Sequence, residues 1–177
     1  MLICNEHKSA SYAPRTYHNA SQGVTLAIAV DFTTAGEKLT HKAAYGKIVQ
    51  YHIETDWIET ARGLYSTLKK HDCHVVNVAG NGIYTLQKHG VTQAQANQYV
   101  YSILKLVNEH WPITQVVSGG QTGMDIAGLV AGVALGIESI GMWPRGYKMR
   151  FENGKDVDKT EEWVHNYIIT QVAELEK

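Results

Sequence analysis

Cysteine is scarce in this chain. Cys4 and Cys73 are its only two, too few for the disulfide framework that holds small secreted folds together. Proline is scarce as well, with three in 177 residues, and no proline-rich or low-complexity linker divides the sequence. Neither sign of charge prevails. Sixteen Lys and Arg against seventeen Asp and Glu leave a formal net charge of −1. No global field therefore recruits nucleic acid or an anionic membrane, and no basic, aromatic-laced stripe argues for a nucleic-acid partner. No apolar run approaches the length of a bilayer span. The N-terminus has no continuous apolar segment, so no signal peptide is expected and the cytoplasm is the default location. Nine histidines are scattered without a cluster. Cys4 with His7, and Cys73 with His71 and His74, do not have standard zinc spacing, so neither a metal nor another cofactor is expected. No Ser-His-Asp order and no nucleophile elbow supports acyl-transfer hydrolysis.

What the chain does have is an ordinary apolar content, 44%, on a length suited to one domain. Residues 1–177 read as a single domain in which residues 1–23, polar and patternless, form an irregular N-terminal extension. Val24 to Val30 is a short apolar run fit for a buried strand. A loop and short helix follow it, and Ile48 to Ile53 is a second strand. Asp56 with Glu59 has a capping-box pattern and opens a helix with Trp57, Ile58, Ala61, Leu64, Tyr65 and Leu68 on one face. His74 to Ala79 is the next strand. Thr92 with Gln95 caps a long amphipathic helix that Pro112 stops. Gln115 to Ser118 and Glu138 to Met142 are further strands, and Thr160 caps a last helix. Tyr147 to Asp158 is polar and reads as a mobile stretch. Strands alternating with helices predict an α/β fold, Rossmann-like, its sheet mostly parallel with helices on both faces.

The most informative stretch is Val116-Val117-Ser118-Gly119-Gly120-Gln121-Thr122-Gly123-Met124-Asp125. Two β-branched residues enter a glycine-rich turn, and an apolar helix from Ile126 to Leu135 follows. Strand, glycine loop and helix make a common pocket for a phosphate-bearing ligand, because backbone N–H groups and the helix dipole face the same point. Gly128 and Gly132 let that helix pack close to a sheet. The motif is neither G-x-x-x-x-G-K-[ST] nor G-x-G-x-x-G.

The order S-G-G-Q-T-G-x-D, followed by an apolar helix and Gly136-Ile137, resembles the SLOG superfamily, a Rossmann-like nucleotide-binding group. Its members include cytokinin-activating phosphoribohydrolases, DNA-uptake proteins and sensor domains for nucleotide signals. The likeness is closest to the branch named for carriage of the molybdenum cofactor and to related bacterial and phage proteins, and it spans residues 74–150. The resemblance implies a small-molecule, nucleotide-like ligand, ADP-ribose-like molecules among them. It also implies a homodimer as one form of assembly. The phosphoribohydrolases carry P-G-G-x-G-T-x-x-E, whose Glu belongs to the active site. This chain has Asp125 and no Glu there.

Ligands of open parallel sheets bind beyond the carboxyl ends of the strands. Four loops fall at that edge: Asp31 to Thr34, Gly80-Asn81-Gly82, Ser118 to Asp125, and Trp143 to Gly146. In the main loop, Gly119, Gly120 and Gly123 allow close backbone approach, while Ser118, Gln121 and Thr122 offer side-chain hydrogen bonds. Asp125 either complements the helix dipole, contacts a ribose hydroxyl or braces the loop, and it is the one candidate catalytic residue. Gly80, Asn81 and Gly82 form a second wall, with Asn81 as a base or sugar contact. Trp143 offers a stacking surface. Pro144-Arg145-Gly146 matches the Pro-basic-Gly pattern of the resembling family, which assigns Arg145 to phosphate. Lys148 and Arg150 extend that basic edge. Asp31, Thr33, Thr34, Glu37, Lys38 and His41 form a polar cluster, read mainly as a polar loop, in which Asp31 or Glu37 has the chemistry of a general base. Two functions follow: binding of a nucleotide or nucleotide-derived ligand as sensor, carrier or sequestering protein, and hydrolysis of an N-glycosidic bond in a nucleotide.

Overall fold

The computed structural model describes residues 1–176. Its six-stranded sheet is parallel throughout. In chain order the strands are β1 (Leu2–Glu6), β2 (Val24–Ala29), β3 (Ile48–His52), β4 (Val75–Gly80), β5 (Gln115–Ser118) and β6 (Glu138–Trp143). They lie side by side as β1-β6-β5-β4-β2-β3. This is the predicted α/β, Rossmann-like architecture. Helices α1 (Tyr12–Gln22) and α2 (Ala35–Ala44) pack together over one face. Over the other lie α3 (Trp57–Lys70), α5 (Gln93–His110) and α6 (Met124–Ala134), with the short α4 (Ile83–Lys88) leading into α5. A separate antiparallel hairpin joins β7 (Met149–Arg150) to β8 (Asp156–Val157), and α7 (Glu161–Ala173) packs on α6 and β1. No helix among the described residues is long and apolar enough to cross a membrane.

Residues 1–23 are not an irregular extension. Leu2 to Glu6 pair in register with Ser139 to Trp143, so β1 closes one edge of the sheet. The helix that follows escapes hydrophobic periodicity because its inward face is polar: its buried residues are Arg15, Asn19 and Ala20. Pro14 sits in its first turn, where a missing N–H costs no intrahelical bond. The stretch from Tyr147 to Asp158 is likewise ordered into the β7–β8 hairpin, anchored by the fully buried Met149.

The two faces of the central strands differ. Leu26, Ile28, Val76, Val78 and Val116 join Leu64, Leu68, Val100, Ile103 and Leu104 in the main core. By the two-residue alternation of a strand, Thr25, Ala27, Ala29, Asn77 and Ala79 face α1 and α2 instead. These side chains are small, so the layer beneath α1 and α2 is not filled. Gly128 and Gly132 bring α6 down onto Val78 and Val116, where any Cβ would collide with the sheet. The caps predicted for α3, α5 and α7 are present. Asp56 accepts from the amides of Ile58 and Glu59, Thr92 and Gln95 form a reciprocal capping box, and Thr160 accepts from Trp163.

The candidate functional site

The chain runs from β2 outward to β3 in one direction, and from β4 through β5 to β6 in the other. The loops after β2 and β4 therefore part, and a crevice opens between them at the carboxyl edge. A cavity of about 540 Å³ occupies it and continues under α1 and α2 over β4. That volume is in the range that encloses a drug-sized ligand.

Asn81 ties the edges of the crevice. Its Oδ1 accepts from the amides of Val30 (2.9 Å) and Asp31 (3.0 Å), and its Nδ2 donates to the Asp31 carbonyl (3.1 Å) and to Glu37 Oε1 (3.2 Å). All four hydrogen-bonding capacities of the carboxamide are occupied. The Asn81 carboxamide thus braces the crevice, and Gly80, Asn81 and Gly82 line the cavity.

Glu37 is the third residue of α2, and the Thr34 hydroxyl that caps the helix accepts from its amide. Its side chain turns inward. Only 4% of the residue is exposed, and Oε2 has no hydrogen-bond partner. Burial, with the Asp125 charge adding to it, pushes the carboxyl up to about 7. Asp31 differs: its Oδ1 accepts from the Thr33 hydroxyl and amide, which holds its pKa below the usual carboxylate range and fixes it as a loop brace.

Across the cavity stands a buried ion pair. Arg15 Nη1 lies 3.2 Å from Asp125 Oδ2, which also accepts from the Gln121 amide. Burial raises the Asp125 carboxyl, and Arg15 and that amide hold it down against the rise. Arg15 Nε and the Tyr12 hydroxyl are buried without partners. Three orphaned polar atoms, on Tyr12, Arg15 and Glu37, thus belong to residues lining one cavity. Such groups are costly to bury unless something satisfies them. At the more open end, Arg150 and Tyr84 line the wall, and Arg150 pairs with Asp156 through bonds of 2.8 and 3.2 Å.

The glycine loop meets the cavity only in part. Gly119, Gln121 and Asp125 line it, whereas Gly120 and Gly123 do not. Gly120 has φ +72°, and a Cβ there would run into the Trp143 indole. Gly123 has φ +94° and abuts the backbone of Asn81 to Ile83. Its amide donates to Gln93 Oε1 (2.6 Å), and the Met124 amide donates to the Asn81 carbonyl (3.2 Å). Ser118 Oγ donates to the Val78 carbonyl, and Thr122 Oγ1 donates to the Arg150 carbonyl. The loop therefore clamps β4, α5 and the hairpin together, with several of its donors already engaged.

The fourth predicted wall is displaced. Trp143 is fully buried among Cys4, Ile126, Leu129, Val164 and Ile168, so its ring has no free face for a base. Pro144 is buried outside the cavity lining. Arg145 is exposed, donates its amide to the Ser9 carbonyl and does not line the cavity. The guanidinium groups that do line it are those of Arg15 and Arg150. Arg15, Tyr12 and Asn19 went unread because they sit on the helix that lacks an apolar face. The signal for Asn77 was its place in an otherwise apolar strand. Among the described residues, no three His, Cys, Asp or Glu come together as metal ligands. Compared with known proteins, the chain matches no family model, no curated protein and no solved structure.

Proposed function

We propose that the cavity binds a nucleotide-type ligand carrying one phosphate at most. The observation behind this reading is the convergence of buried, unpartnered polar atoms on Tyr12, Arg15 and Glu37 around a cavity at the switch point of a parallel sheet. A ribose ring with hydroxyls that both donate and accept matches a Glu37 carboxyl that holds a proton below about pH 7 and an Asp125 carboxyl paired with Arg15. Arg15 and Arg150 are each matched by a carboxylate, Asp125 and Asp156. That balance, and a glycine loop whose Gln121 and Gly123 amides are engaged, favour a single phosphate over the pyrophosphate of an ADP-ribose-like molecule. The reading agrees with what the likeness to nucleotide-binding SLOG proteins implies. Calorimetric titration with nucleosides and their 5′-monophosphates tests it. Binding is expected in the wild type and should be at least tenfold weaker in Arg15→Ala, since a charge-assisted hydrogen bond contributes about 1.5–3 kcal/mol. No binding of any nucleoside or nucleotide at millimolar concentration would refute it.

A second reading, hydrolysis of the N-glycosidic bond, is favoured by one observation: two buried carboxyl groups line the same cavity with different partners. Two carboxyls in one site, of which Asp125 alone is paired with Arg15, can take different roles. Glu37 would protonate the departing base as the C–N bond breaks. Asp125 would stabilise the oxocarbenium-like centre that water then attacks, the water's proton returning to Glu37, giving free base and sugar phosphate. Chromatography of each bound ligand distinguishes the readings, because free base appears only with turnover and should vanish in Glu37→Gln.

A further inference from the structure

The cavity has two unlike halves. Its half toward the carboxyl edge of the sheet carries the ionisable groups Arg15, Glu37, Asp125 and Arg150. Its inner half, beneath α1 and α2, is lined by neutral polar groups and small apolar ones. Asn77 and Asn19, 3% and 5% exposed, lie at this inner end. Asn77 replaces an apolar residue in the middle of β4, beside Thr25 in register on β2. Its Nδ2 donates to Thr25 Oγ1 at 3.0 Å, which fixes the carboxamide and leaves Oδ1 without a partner among the described residues. Asn19 projects from α1, and its carboxamide makes no hydrogen bond to the protein among the described residues. Thr16 and Thr40 add hydroxyls, and Ala79 supplies a flat apolar floor.

We propose that this inner half is a nucleobase subsite, in which the carboxamides of Asn19 and Asn77 read the edge of the base while its face lies on Ala79. A carboxamide presents a donor beside an acceptor, the pairing that base edges offer in complement. No ionised side chain lines the inner end, so the moiety it accepts is neutral. The small residues on this face of β2 and β4 make the space, and the two amides set what fills it. The sugar then falls between Glu37 and Asp125, and the phosphate points to the open end. Asn19 and Asn77 are thus specificity-determining residues.

The inference rests on the nucleotide-type reading of the cavity and is tested with ligands that separate the two. The wild-type protein is titrated with inorganic phosphate, ribose 5-phosphate and the four common nucleoside 5′-monophosphates. At least one monophosphate should bind about tenfold or more tightly than ribose 5-phosphate, the worth of a hydrogen-bonded base whose face is buried on an apolar floor. Asn19→Ala and Asn77→Thr should each weaken that monophosphate by roughly three- to tenfold, as loss of a neutral hydrogen bond does, and leave ribose 5-phosphate unchanged. Equal affinity of ribose 5-phosphate and every monophosphate in the wild type would overturn the base subsite but not the nucleotide-type cavity. Variants that weaken ribose 5-phosphate as much as the monophosphate would overturn it too. Failure of all these ligands to bind would overturn both readings.

Discussion

Glu37 owes its charge state to its neighbours. Its carboxyl is buried, shares its space with the Asp125 charge, and has one hydrogen bond, from Asn81. The folded protein therefore binds a proton there more tightly than the unfolded chain, whose carboxyl titrates near its ordinary value of 4.5. The stability that this difference contributes is fully present below about pH 4.5 and is lost as the pH rises through about 7. Relative to Glu37→Gln, the wild type should lose melting temperature between pH 5 and pH 8, and parallel curves would contradict this. Arg15 and Asp125 behave as a unit. Removing one partner of a buried pair leaves the other charge uncompensated, so Arg15→Ala should cost about 3–5 kcal/mol in urea unfolding. Arg145→Ala, at an exposed side chain outside the cavity, should stay within about 0.5 kcal/mol of wild type and leave ligand affinity unchanged. Asp125 and Arg145 were equally visible as charged residues near glycines. Only the fold reveals that one is locked to Arg15 and the other faces solvent.

At the scale of elements, the glycine loop acts as a clamp between packed units. Gly120 combines a left-handed backbone with the Trp143 indole where a Cβ would stand. Gly120→Val should therefore lower the melting temperature sharply, as read by circular dichroism, and a stable, folded variant would contradict the packing described. Elements with apolar periodicity or cap signals were legible in the sequence. The α3 face, the Thr92–Gln95 capping box and the Gly128–Gly132 contact with the sheet all appear where residue spacing placed them. The elements that escaped are β1, whose apolar run is only Leu2-Ile3-Cys4, and α1, whose inward face is polar. β1 is an edge strand in which Cys4 alone is buried, and α1 turns Arg15 and Asn19 inward because it roofs a cavity and not a core. The same cause hid half the site. Three of the four expected loops do meet at the crevice, but the groups that fill it from above come from α1 and α2.

For the molecule as a whole, asymmetry of the sheet is the governing feature. One face carries Leu26, Ile28, Val76 and Val78 and holds the main core. The other carries alanines, Thr25 and Asn77, and keeps a polar space open beneath α1 and α2. The first 22 residues are thus part of the site as well as of the sheet: β1 pairs with β6, and α1 supplies Tyr12, Arg15 and Asn19 to the cavity wall. This space, and not the outer side of the glycine loop, is where the proposed ligand binds. A crystal structure of the protein grown with the tightest-binding nucleoside 5′-monophosphate tests it most directly. The sugar is expected beside Glu37 and Asp125, the base against Asn19 and Asn77, and the phosphate near Arg150. A ligand seated against Gly120 to Gly123 or Arg145, with the cavity under α1 and α2 left empty, would contradict it.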